Sequence, residues 1–346
     1  MAAVGSQTQG TTAPAEKESR LIQRLPLGRS SVTVSPLGLG TWAWGDRFFW
    51  GYGRGYHDQD LEQVFQRAIE HGVDTFDTAE VYGRGRSERL LGAFGRKYGV
   101  LERMVVATKF FPYPWRFTRA ALRRALQGSL HRLGRDYVDL YYLHWPFPPR
   151  SPEFWVQAMV PLVREGKIRA VGVSNVNLPQ LQRVHQVLEG AGVPLAAVQV
   201  EYNLVRREIE FNGFMDYCRE HRITVVAYSP LASGMLTGKY TPDNPPRDWR
   251  RRLYPPAFLE RLQRLIRLME DIGAQHGGKT PAQVALNWAL VKGTHPIPGA
   301  KTPSQMKSNL AALGWQLSPE AVDALDRVSE SLQLGRLTLA PFLRRA

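Results

Sequence analysis

Four apolar runs, at 138–143, 168–173, 196–200 and 223–228, begin 27 to 30 residues apart, the length of a strand, a helix and two short loops. That spacing predicts repeated βα units. Further runs at 37–41, 73–77, 104–108 and 295–298 bring the candidate strands to eight. "ITVVAY", from Ile223 to Tyr228, and "AAVQV" at 196–200 are almost unbroken apolar runs, as expected of parallel strands covered by helices on one face and a packed interior on the other. The helices between them carry their own stops. "GRSERLLGAF" starts at Gly85, "TRAALRRALQGSLHRLG" ends at Gly134, and "TPAQVALNWAL" opens with Thr280 as N-cap and Pro281 behind it. Eight alternating units in about 310 residues predict an α/β fold, a single closed (β/α)8 TIM barrel with extra helices, over residues 25–346. An open doubly wound sheet is the structural alternative.

Residues 1–24, small and polar with no apolar period, are expected to form a flexible tail. The tail carries Glu16 and Glu18 and is poor in arginine, unlike an organellar transit segment. No apolar run approaches the roughly 20 residues that span a bilayer, so no membrane partner is expected. The single cysteine, Cys218, excludes an intramolecular disulfide and a multi-cysteine metal site, and no metal is expected. Lys and Arg outnumber Asp and Glu by 45 to 31, and the net charge of +14 asks for an anionic partner without choosing one.

In such a barrel the chemistry gathers where strands end. The second candidate strand ends in Asp77 with Tyr82 five residues on, the third ends in Lys109, and the fourth is followed by His144. A phenol is a poor acid at neutral pH, but an ammonium about 4 Å away at an effective dielectric near 20 is worth roughly 4 kcal/mol, about three pKa units. Lys109 is therefore expected to draw Tyr82 toward neutrality, Asp77 to keep Lys109 charged, and His144 to hydrogen-bond the same substrate oxygen. Taken singly, each has a plain structural role open to it: a loop cap, a wall ring, an ion-pair partner, a core histidine. At three adjacent strand ends they form a set.

The motifs "FDTAEVYG", "ATKF", "LHWP", "VGVSN", "QVEYN", "YSPLASGMLTGKY" and "IPGA" resemble, in order and near-spacing, those of the aldo-keto reductase family. The likeness covers nearly the whole folded chain, from "GLGTWAWG" to "IPGAKTPSQMKSNLAALGW". Through "WAWGDRFFWGYG" and "PWRFTRAAL" it resembles the plant plastid-type and pyridoxal reductase-like members most. The resemblance implies an NADPH-dependent reductase of aldehydes or ketones, with Tyr82 as general acid, Lys109 and Asp77 tuning it and His144 orienting the carbonyl. It also implies a cofactor site drawn from Thr41, Trp42, Asp77, Ser174, Asn175, Gln199 and Tyr228 at the nicotinamide end. Ser229, Pro230, Leu231, Ser233 and Lys239 would lie along the pyrophosphate, and Gly299, Lys301, Gln305 and Asn309 at the adenosine end. Gln199, an amide inside an apolar run, must pair with a ligand or a neighbouring strand. Many members carry Lys-Ser after "IP" and an Arg six residues beyond that Lys; here Gly299, Ala300 and Gln305 stand in those places and Lys301 lies nearby, so use of NADH stays open. No G-x-G-x-x-G follows a strand, which leaves the Rossmann route unsupported.

Trp44, Trp50, Trp115 and Trp145 fall in loops at the same mouth and are expected to line an apolar pocket for a small carbonyl substrate, aromatic or pyridoxal-like. The competing reading from another class is an NADPH-binding regulatory subunit resembling channel β subunits; retention of His144 favours an enzyme. A nucleic-acid partner is not expected, because the basic residues are scattered and no binding module is present. Residence in a chloroplast or plastid is implied by the resemblance alone, with the cytoplasm as the alternative.

Overall fold

A computed structural model describes residues 23–334 of the chain. Most of the expected tail, 1–22, and the C-terminal residues 335–346 lie outside the described residues. Arg24, near the expected tail boundary, pairs with Asp74 and bonds the Thr33 hydroxyl at 2.9 Å.

A short antiparallel hairpin, β1 (Leu25–Pro26) and β2 (Thr33–Val34), comes first. Its residues Leu27, Val32 and Val34 pack with Val105, Ala107, Leu140, Ala170 and Val226, apolar residues of the barrel strands. The sequence reading did not contain this hairpin; its strands of two residues are too short to show an alternation.

Eight parallel strands follow: β3 (Leu39–Gly40), β4 (Thr75–Asp77), β5 (Val105–Phe110), β6 (Val138–Leu143), β7 (Ile168–Ser174), β8 (Leu195–Glu201), β9 (Thr224–Tyr228) and β10 (His295–Pro296). Each pairs with its neighbour in chain order, and the eighth meets the first through the Gly40–Gly299 bridge and the bonds Gly38 N to Pro296 O and Gly40 N to Pro298 O. The predicted closed barrel is therefore the observed one. The runs expected at 37–41 and 295–298 yield only two-residue strands, and the reason is local. Pro296 and Pro298 accept bonds from β3 but have no N–H to return, so this seam holds only half a ladder. A Cβ at Gly40 would lie 2.8 Å from Ile297 O, so only glycine allows the approach.

The helices are α1 (Asp58–Glu70), α2 (Arg86–Lys97), α3 (Arg119–Leu133), α4 (Pro152–Arg164), α5 (Leu178–Gly190), α6 (Glu208–Phe211), α7 (Phe214–Glu220), α8 (Arg250–Leu253), α9 (Pro256–Gln275), α10 (Pro281–Val291), α11 (Pro303–Leu310) and α12 (Pro319–Leu332). The expected caps are present: Gly134 closes α3 in the left-handed region, and Thr280 and Gln283 form a capping box on α10. Apolar helix faces bury Phe65, Phe94, Leu126, Trp155 and Val184 against the outer faces of the strands. A second cluster around Trp288, Leu262 and Leu325 joins α9, α10 and α12.

Candidate active site

The carboxyl ends of β4, β5 and β6 bring the four expected residues together. Lys109, wholly buried in β5, donates to Asp77 Oδ1 at 2.5 Å and to Thr78 O at 2.8 Å, and its Nζ lies 3.4 Å from the Tyr82 hydroxyl. Tyr82 opens the turn after β4, and its ring meets that of His144 edge-on at 5.7 Å. The other carboxylate oxygen of Asp77 accepts from Gln199 Nε2, on β8, at 2.7 Å. Both Asp77 oxygens are thus engaged, which offsets the cost of burying the ion pair.

The backbone beneath is equally fixed. Asp77 O accepts from both the amide and the hydroxyl of Thr41, at 2.8 and 2.9 Å, and Ser87 on α2 donates to the Thr41 hydroxyl at 2.7 Å. Glu80 accepts from Phe111 N at 2.8 Å and binds the Arg116 guanidinium, which pins the loop after β5.

The electrostatics differ from the sequence expectation. Burial pushes the Tyr82 phenol well above its ordinary value, and the Asp77 carboxylate and Tyr228 push the same way. The pull expected of the Lys109 ammonium, which is paired to Asp77, is opposed by burial and by that carboxylate. Burial also lowers Lys109, with Asp77 opposing. His144 is driven well below its ordinary range, by burial first and by Lys109 second, so its imidazole is neutral; its Nδ1 is buried without a partner among the described residues.

Beyond this centre, Ser174 donates to Gln199 O at 2.9 Å, and the Asn175 amide nitrogen bonds Ser174 Oγ and His144 O, both at 3.0 Å. The Tyr228 hydroxyl donates to Asn175 Oδ1 at 2.9 Å. After β9 the chain turns through left-handed residues at Ser229, Ala232, Ser233 and Gly234, with Pro230 buried and Leu231 half-buried between them. Arg250 donates to Ser233 O at 3.0 Å. Lys239, Arg250 and Lys301 form a cationic group with Asp248 as the acid among them: burial lowers Lys301, and Arg250 and Lys239 lower it further. Gly299 bridges to Gly40, Asn309 Nδ2 lies 3.4 Å from Gly299 O, and Gln305 Oε1 accepts from Lys301 N at 2.8 Å.

Similarity to known proteins extends over the same elements. The Aldo/keto reductase family profile matches residues 36–330. The chain belongs to the aldo/keto reductase family. It is 41% identical over 308 residues to the chloroplastic pyridoxal reductase of Arabidopsis thaliana, covering 86% of this chain and 83% of that one. An aldo-keto reductase of Bacillus subtilis is 31% identical, with 87% and 92% covered. Among solved structures, a thermostable aldo-keto reductase in complex with the inhibitor epalrestat superposes with a TM-score of 0.73 at 32% identity, covering 88% of this chain and 99% of that one. The glycerol dehydrogenase of Gluconobacter oxydans does so with 0.74 at 29%, covering 90% and 95%. As an aldo/keto reductase the chain is an oxidoreductase acting between carbonyl and alcohol, and the relatives named are themselves enzymes.

Several expected roles need correction in this aldo/keto reductase. Trp44 is fully buried, packs edge-on against Phe94 and donates to Ala300 O; it is core, not pocket. Thr41 is fully buried with its hydroxyl spent on Asp77 and Ser87, so it positions the carboxylate instead of touching a ligand through its side chain. Trp50 lies beneath Lys301 and Arg250, at 5.1 and 5.7 Å, on the cationic side of the mouth and not over Tyr82. Trp115, 70% exposed, stacks on Tyr113 at the rim. Trp145 stacks on Phe147 at 5.3 Å beside His144. Two rings nearer the centre stand outside the expected pocket set: Phe111, edge-on to His144 at 5.7 Å, and Trp42, 6.3 Å from Tyr82 and assigned by resemblance to the cofactor. The signal for Phe111 was its place two residues after Lys109.

Proposed function

We propose that this chain reduces an aldehyde or ketone to the alcohol with NADPH, Tyr82 giving the proton to oxygen. The observation that carries the reading is Lys109 Nζ set between the Asp77 carboxylate at 2.5 Å and the Tyr82 hydroxyl at 3.4 Å. The left-handed turn at 232–234 and the cations Lys239, Arg250 and Lys301, short of acid partners, suit the phosphates of a dinucleotide. Ser174, Asn175, Gln199 and Tyr228 would hold the carboxamide and ring; Ser229 to Ser233, Lys239 and Arg250 the pyrophosphate; Lys301, Gln305 and Asn309 the adenosine end. Bound NADPH supplies hydride to the carbonyl carbon.

The chain's own residues handle the oxygen. Burial keeps Tyr82 protonated at neutral pH, and a phenol is still a far stronger acid than the alcohol whose alkoxide it protonates. Lys109 stabilises the phenolate left behind, and Asp77 keeps Lys109 charged. With Nδ1 of neutral His144 unpartnered, a proton on Nε2 leaves only a lone pair unsatisfied, and Nε2–H becomes the donor that orients the carbonyl.

Tyr82→Phe is expected to lower kcat by about 10²-fold or more while NADPH affinity, followed by fluorescence, stays within a few-fold. An active Phe variant would overturn the acid assignment. The aromatic group of Trp42, Phe111 and Trp145, together with the pyridoxal reductase relative, supports an aromatic aldehyde such as pyridoxal as substrate. A panel of pyridoxal, 4-nitrobenzaldehyde and aliphatic aldehydes tests this, and preference for the aliphatic ones would exclude it. Plastid residence rests on that same relative's name; imaging the full chain as a fluorescent fusion decides it, with a cytosolic signal against.

A further inference from the structure

Arg54 sits on the loop between β3 and α1, exposed, with no side-chain hydrogen bond or ion pair among the described residues. It lines a cavity of 460 Å³ whose other walls include Lys301, Thr302, Gln305 and the rings of Trp50 and Tyr56. No carboxylate lines this cavity. Two cations facing one space without an acid repel each other and favour an anion between them. The ammonium of Lys301 is already depressed by burial and by Arg250 and Lys239, which adds to that preference.

The loop presents Arg54 on a braced turn. Tyr56 is buried and donates to Ala43 O at 2.6 Å, while Tyr52, also buried, accepts from Arg86 at 2.7 Å. Between them Gly53 N bonds Tyr56 O and Arg54 N bonds Gly51 O, both at 3.0 Å, with Gly51 and Gly53 at the positive φ values such a turn requires. Holding the loop in advance reduces the ordering cost of binding. Gln305, also in the lining, is neutral, with its Oε1 tied to Lys301 N, so α11 adds no cation to the cavity.

We propose that Arg54 is a specificity-determining residue which, with Lys301, holds the 2′-phosphate of NADPH and sets preference for it over NADH. This rests on the nicotinamide-dependent reading above. A guanidinium grips a phosphate monoester through paired N–H donors, and NADH offers a neutral hydroxyl in its place. The test measures dissociation constants of NADPH, NADH and the probe 2′,5′-ADP for the wild type, Arg54→Gln and Arg54→Lys. Arg54→Gln is expected to weaken NADPH and 2′,5′-ADP about tenfold or more, leave NADH within twofold, and be partly rescued by Lys. An unchanged NADPH-to-NADH ratio, or equal weakening of both dinucleotides, overturns the assignment of Arg54. A wild type that binds NADPH no better than NADH overturns the NADPH preference itself, whatever the variants do, and one that binds neither overturns the reductase reading.

Discussion

Gln199 on β8 donates its side-chain amide to Asp77 on β4, 2.7 Å across the mouth of the barrel, and so completes the hydrogen bonding of the carboxylate that holds Lys109. The contact joins strands that are four places apart in the barrel, and it fixes the acid that the lysine depends on.

Gln199→Leu removes that donor and leaves Asp77 Oδ2 buried without a partner. A loss of about 1–3 kcal/mol is expected in urea unfolding, together with a fall in kcat larger than any rise in KM. Unchanged stability and kcat would show that the amide is dispensable.

Lys109→Met strands a buried carboxylate, for which about 3–5 kcal/mol is the usual cost. Adding Asp77→Asn should recover most of that stability and none of the turnover. Comparing thermal unfolding with single-turnover reduction separates the two effects; recovered turnover in the double variant would contradict the role given to the ammonium.

His295, at the start of β10, is buried and held down at about 4 by that burial. An unfolded histidine titrates near 6.5, so between these values the unfolded chain binds more protons and stability rises with pH. The contribution is fully present above about 6.5 and is lost as pH falls toward 4, by roughly 3 kcal/mol in all. His295→Gln should flatten the dependence of unfolding free energy on pH in that window. An equally steep slope in the variant would assign it to other groups.

A Cβ added at Gly172 on β7 would lie 2.4 Å from Cε1 of Tyr142, whose buried ring stands 5.9 Å from Lys109 Nζ. Gly172→Ala is expected to cost about 1–3 kcal/mol through overpacking and to lower kcat by shifting that ring. Calorimetry and steady-state rates check both, and a variant as stable and active as the wild type would mean the ring yields freely.

The barrel was legible in the sequence because strands buried on both faces read as unbroken apolar runs at a fixed interval. Asp77, Lys109 and His144 were legible because a charged or titratable residue at the end of such a run has few places to go. What the sequence could not convey depends on closure or on competition. The partner of Gln199 lies 122 residues away and becomes a neighbour only once the barrel forms. The downward pull on Tyr82 was expected from Lys109 taken alone, whereas burial of the phenol in the closed barrel, with Asp77 beside it, pushes the other way. Trp42 and Trp44 follow a two-residue strand, where alternation gives no guide to which ring turns inward, and the core took Trp44.

The proline-limited seam between β3 and β10 has a bearing on how the molecule breathes. Cooperative units of a protein open in order of their bonding, and a junction with half its ladder missing has the lowest threshold. Amides of Gly38 and Gly40 should therefore exchange with deuterated solvent ahead of those in β5 to β8. The loops that carry Trp42 and Lys301 spring from these two strands, so the rim beside them inherits whatever slack the junction allows.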